Sequence, residues 1–98
     1  ANHYSDQLQS NGIVAKAYPN PFTNTATIEF ALNDYTESVS VEVFTLGGQK
    51  VATLFNRTVN GGEINRVEFN AAELANGIYV YRIATKDNVH YDKLLLNR

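Results

Sequence analysis

The chain reads as an all-β, immunoglobulin-like antiparallel sandwich of about seven strands, on three observations. Apolar residues recur with a period of two: Ala26, Ile28, Phe30 and Leu32 interleave with Thr27, Glu29 and Ala31, and Val39, Val41 and Val43 interleave with Ser40 and Glu42. Turn signals at Asn33-Asp34, Gly47-Gly48, Asn60-Gly61-Gly62, Asn76-Gly77 and Lys86-Asp87-Asn88 break the chain about every eight to twelve residues, the rhythm of a sandwich. The apolar fraction, 44%, is rich in Val, Ile, Tyr and Phe and holds no Met or Trp, a mix that suits a pleated, half-buried surface. No stretch supports the crossover helix that a parallel sheet requires.

The elements follow in order. Residues 1–12 are polar and aperiodic and read as a linker or an expression remnant, which leaves 13–98 as the domain. Ile13 to Tyr18 is a short first strand ended by Pro19, and Ala26 to Leu32 is the second. In the third, Phe44 and Leu46 fall on the face opposite the valines, which predicts cover on both sides near its end. Gly47-Gly48 predicts a two-residue hairpin, because glycine accepts the positive φ angles such turns need. Gln49 to Phe55 would return with Val51 as an anchor, and Asn65, Val67 and Phe69 share a face of the next strand. Ala71 to Ala75 supports one helical turn at most. Ile78 to Thr85 is a strong strand with Tyr79, Tyr81 and Ile83 on one face, and Val89 to Leu96 is the last. Tyr79 stands where immunoglobulin-type sandwiches place a tyrosine corner; a plain core tyrosine is the alternative.

The same residues argue against several functions. Net charge is −2 and the eight Lys and Arg residues are scattered, unlike the basic stripe of a nucleic-acid binder. Cysteine is absent, so no disulfide framework or Cys-based zinc site is possible. No apolar run approaches the length of a membrane helix, so no membrane insertion is expected. Residues 1–12 do not form a signal peptide, so a secreted domain of this sequence should be part of something longer. No serine sits in a nucleophile motif and no glycine-rich phosphate loop is present. Glu42, Glu68 and Glu73 read as surface carboxylates. His90 and Asp92 would share a face of the last strand, but two ligands without a third make a poor metal site. Asn56-Arg57-Thr58 fits a glycosylation acceptor pattern and reads as a chance match. The expectation is a protein that is not an enzyme and needs no cofactor.

Three motifs remain. They are Tyr18-Pro19-Asn20-Pro21-Phe22 before the strand Thr27-Ile28-Glu29-Phe30; Val41 to Val51 with Gly47-Gly48 at its centre; and Leu74-Ala75-Asn76-Gly77-Ile78-Tyr79. The last strand adds Lys93-Leu94-Leu95-Leu96. In this order and spacing the chain, from about Ile13 to Arg98, resembles the type A C-terminal sorting domain of type IX secretion cargo. Gly48 stands where an arbitrary residue is common in that family, and Gly47 where a polar one is. The resemblance implies an exported domain joined to a cargo on its N-terminal side. It implies passage through the periplasm to the outer-membrane type IX translocon, and delivery to the cell surface or the medium. It also implies removal by a surface sortase in many members.

Each motif residue also has a structural reading. Pro19 and Pro21 fix φ and remove two N–H donors, which makes a stiff corner, and Asn20 can bond local backbone. Gly77 reads as a turn glycine closed to other residues. Leu94, Leu95 and Leu96 are consecutive, so at least one points away from the core of a regular strand. An apolar strand with Lys93 and Arg98 beside it can be offered to a partner or to a second copy by edge pairing. The competing reading is a carbohydrate-binding or spacer module of a secreted enzyme, for which Tyr79, Tyr81 and Tyr91 would supply a sugar platform.

Overall fold

A computed structural model describes residues 12–32 and 36–98. The linker assigned to residues 1–12 lies outside the described residues but for Gly12, as does the turn at Asn33-Asp34. The strands are β1 (Ile13–Tyr18), β2 (Thr25–Leu32), β3 (Glu37–Thr45), β4 (Lys50–Val59), β5 (Asn65–Asn70), β6 (Gly77–Ala84) and β7 (Val89–Leu96). They form a three-stranded sheet in the order β1-β2-β5 and a four-stranded sheet in the order β4-β3-β6-β7. Every strand pairing is antiparallel. Because β2 leads into β3 and β4 into β5, the chain crosses between the sheets repeatedly, as it does in immunoglobulin-type sandwiches.

The period-two pattern decides the packing. Ala26, Ile28, Phe30 and Leu32 of β2 face Val39, Val41 and Val43 of β3 and Tyr79, Tyr81 and Ile83 of β6, all of them buried in one core. Phe30 meets Phe55 edge-on at 5.4 Å, and Phe69 lies 6.0 Å from Phe22 and 6.3 Å from Tyr79 between ring centres. Such offset and edge contacts add to area burial. The tyrosine corner forms: the Tyr79 hydroxyl donates to the Ala75 carbonyl at 2.6 Å.

Three local expectations are corrected. The Gly47-Gly48 hairpin has a three-residue loop. Thr45 N–H donates to Gln49 O at 2.8 Å and closes the ladder, while Gly48 N–H donates to Thr45 O at 3.0 Å. Gly48 has φ of 100°, so the loop is a turn followed by one residue of positive φ, which glycine tolerates. The far end of β3 is not covered on both sides: Phe44 is half-buried and Leu46 is exposed. The return strand runs on to Val59; half-buried Val51 packs against the core as expected, and the buried anchors are Phe55 and Val59.

Glu42 is more than a surface carboxylate. It lies on the outer face of the four-stranded sheet between Lys50, at 3.2 Å, and Arg82, at 3.0 Å. On the other sheet Glu29 accepts from the Tyr18 hydroxyl and from Arg66, both at 3.0 Å, with Lys16 at 3.6 Å. The Tyr18 hydrogen bond and these two cations hold its carboxyl below the usual range.

Candidate functional site: the motif end of the sandwich

Strand register brings the sequence motifs to one end of the molecule. Gly77 pairs with Leu96 and Thr45 pairs with Tyr79. The Gly48 hairpin, the start of β6 and the end of β7 therefore lie side by side. The Pro19–Phe22 corner joins them, because Phe22 forms a parallel bridge with Leu96.

β7 is an edge strand, and its outward N–H and C=O groups are a template for unwanted pairing. From Lys93 to the N–H of Asn97 that edge is occupied. Asp92 Oδ1 accepts from Lys93 N–H at 2.8 Å. Asn20 Nδ2 donates to Lys93 O at 3.0 Å, and Asn20 Oδ1 accepts from Leu95 N–H at 2.9 Å. Phe22 N–H donates to Leu95 O, and Asn97 N–H donates to Phe22 O, both at 2.9 Å. The side-chain amide of Asn20 thus takes the place of a backbone peptide unit. This corrects the local role expected for Asn20, whose partners lie 73 and 75 residues away. Pro19 and Pro21 have no N–H to offer the edge, so pairing falls to the Asn20 side chain and the Phe22 backbone. Both X–Pro bonds, Tyr18–Pro19 and Asn20–Pro21, are cis. The Phe22 side chain is fully buried and anchors the corner in the core.

The third motif is tied to the same strand. Arg98 N–H donates to Asn76 Oδ1 at 2.9 Å, and its guanidinium donates to Ala71 O at 2.9 Å and to Leu74 O. Arg98 is therefore turned onto the protein, and of the two cations expected beside the last strand only Lys93 has its side chain free. Leu74 is half-buried against the core. Gly77 has φ of 151°, and a Cβ there would meet nothing within 4 Å; the requirement for glycine is one of backbone conformation, not of space. Loss of the guanidinium in Arg98→Ala is expected to lower stability by about 1–2 kcal/mol, since charged hydrogen bonds are worth somewhat more than neutral ones. The midpoint of urea unfolding measures it, and an unchanged midpoint would make the contact incidental.

Leu94 and Leu96 are buried and Leu95 points outward, 38% exposed. The three tyrosines do not form a platform. Tyr79 and Tyr81 are core residues, and only Tyr91 is exposed, at 60%. His90 and Asp92 share the inward-facing register of β7, opposite Ile83 and Tyr81. Burial pushes the Tyr81 phenol up, and the Asp92 charge adds to this. Among the described residues no group of three or more His, Cys, Asp or Glu is placed to hold a metal ion.

These features define a class: an immunoglobulin-like domain whose signature residues tie its first corner, its sixth strand and its last strand together at one end. The chain belongs to the family of secretion system C-terminal sorting domains, whose model matches residues 16–97. It is a sorting signal for type IX secretion, the route to the cell surface or the extracellular space. No curated protein matches it. Among solved structures it is similar to dimeric latent PorU from Porphyromonas gingivalis. The TM-score is 0.70 at 19% identity, over 86% of this chain and 9% of that one. The likeness concerns the fold.

Proposed function

We propose that residues 13–98 act as a folded, non-catalytic address joined to a cargo on their N-terminal side, with residues 1–12 as the linker. The outer-membrane translocon reads this address after the cargo has reached the periplasm, and a surface sortase then removes it. The observation that supports the reading is the convergence of the motif segments on β7. Asn20, Phe22, Asn76 and Arg98 all serve to hold the last strand and its neighbours in one shape. A receptor that tests this end of the domain tests whether the whole fold is complete.

The test is export of a fluorescent cargo fused to residues 1–98, in a host with a working type IX system and in an isogenic translocon-null strain. Fluorescence at the surface or in the medium of the competent strain alone is the expected result. Cargo held in the periplasm of both strains would refute the sorting role for this sequence.

A further inference from the structure

The outer face of the four-stranded sheet carries a surface that the fold does not use. Outward positions are Ser38, Ser40, Glu42 and Phe44 on β3, Ile78, Val80, Arg82 and Ala84 on β6, and Val89, Tyr91, Lys93 and Leu95 on β7. Seven large apolar residues are exposed among the described residues, and five of them lie on this face or at its rim: Leu46 (64%), Tyr91 (60%), Ile78 (41%), Val89 (39%) and Leu95 (38%). Contiguous apolar exposure of this kind marks an interaction site more often than scattered residues do. Between the β3–β4 hairpin and Tyr91 the face holds a groove of about 420 Å³, floored by Phe44 and Val80.

The charges on the face choose the partner. Glu42 is its sole carboxylate on these three strands, and Lys50 and Arg82 already hold it. Lys93, next to Val80 in the register, has no ion pair or side-chain hydrogen bond among the described residues. With Lys50 and Arg82 set against Glu42, the face carries an excess of positive charge in a chain whose net charge is −2. Two copies stacked through it would bring two faces of net positive charge together, which opposes self-association. A complementary surface places an apolar side chain in the groove and a carboxylate against Lys93.

We infer that this face, centred on Leu46, Tyr91, Lys93 and Leu95, docks a protein partner presenting an apolar side chain beside a carboxylate. The inference rests on the sorting reading, and the partner is a component of the machinery that reads the address. Three of the side chains involved have no part in the core or in the sealing of β7: Leu46 is in the hairpin loop, Tyr91 is exposed, and the side chain of Lys93 is free. Their substitution changes the surface and leaves the fold, since surface changes away from caps and cores typically alter stability by under about 0.5 kcal/mol.

The experiment is the same export assay on the fused cargo, with Leu46→Asp, Tyr91→Asp, Lys93→Glu and Lys93→Arg beside wild type. Ile64→Asp serves as a control, an exposed apolar residue outside this face. Thermal melts of each purified fusion confirm folding. The expected result is export lowered about tenfold or more by the three charge-changing variants, the loss of one strong interface contact. Lys93→Arg and Ile64→Asp keep wild-type export. Folded Leu46→Asp, Tyr91→Asp and Lys93→Glu fusions exported as well as wild type would overturn the inference while leaving the sorting role intact. A wild-type fusion that is not exported would overturn both. Co-sedimentation of the wild-type domain, but not these variants, with phosphatidylglycerol vesicles would assign the face to lipid instead. Dimers of the wild type that the same variants dissolve would assign it to a second copy.

Discussion

Phe22→Ala is expected to remove about 3–5 kcal/mol of stability, the usual cost of emptying a buried phenylalanine site. A small domain has only about 5–15 kcal/mol in all, so the substitution brings the protein close to unfolding. The loss falls where the corner meets the core. The ring is fully buried, lies 6.0 Å from Phe69, and belongs to the residue whose backbone pairs with Leu95 and Asn97. Removing the ring leaves a cavity and unfastens the segment that covers the edge of β7. With each kcal/mol worth about 4–8 °C in a domain of this length, the melting temperature falls by on the order of 20 °C. Circular dichroism on heating measures this. Phe22→Leu, which keeps most of the volume, loses much less. A drop in Phe22→Ala below about 5 °C would show that the core does not depend on this anchor.

Asn20→Ala is expected to cost about 1–3 kcal/mol, the net worth of two ordinary hydrogen bonds. It also changes behaviour in a way that Phe22→Ala does not. The core stays packed, but Lys93 O and Leu95 N–H lose their partner, and the edge becomes available to another chain. Amide hydrogen exchange at Leu95 reports the first effect directly, as faster exchange confined to that part of β7. Sedimentation at rising concentration reports the second, as association absent from wild type. Asn20→Asp discriminates further. A carboxylate can still accept from Leu95 N–H, but it sets an oxygen against Lys93 O, so this variant gains nothing over alanine. Exchange at Leu95 that stays at the wild-type rate in Asn20→Ala would mean that water serves the strand as well as the amide does.

The sandwich was legible because its physics is local. Alternation placed β2, β3 and β6, and turn residues set their limits; the last strand falls where its residues were expected, Val89–Leu96. The place of Tyr79 at the start of β6 offers a corner tyrosine beside a plain core one, and its hydroxyl bond to Ala75, four residues away, decides for the corner. Three consecutive leucines in a strand require at least one to point outward, and the register makes it Leu95. What stayed hidden was long-range. Nothing in the neighbourhood of Asn20 points to a strand more than seventy residues away, so its amide was assigned to the corner itself. Arg98 looked like a free cation because its acceptors are the carbonyls of Ala71 and Leu74, and carbonyls leave no trace in a residue pattern. Glu42 looked like a surface charge because its two cations come from strands on either side of β3. The two-residue hairpin fails for a smaller reason: two adjacent glycines suggest a complete loop, whereas Thr45 closes on Gln49 and only the second glycine has positive φ.

The side-chain amide that stands in for a peptide unit has a consequence for how the domain comes into being. Residues 20 and 22 wait for residues 93, 95 and 97, so β7 must be made before the first corner can be fastened. Contacts this distant in sequence form slowly, because the loop must close before anything rewards it. A chain broken off short of Leu95 keeps its alternating strands but has an open corner and an unfinished edge. The first corner and the last strand thereby close together, and the clasp between them serves as a proof that β7 is in place.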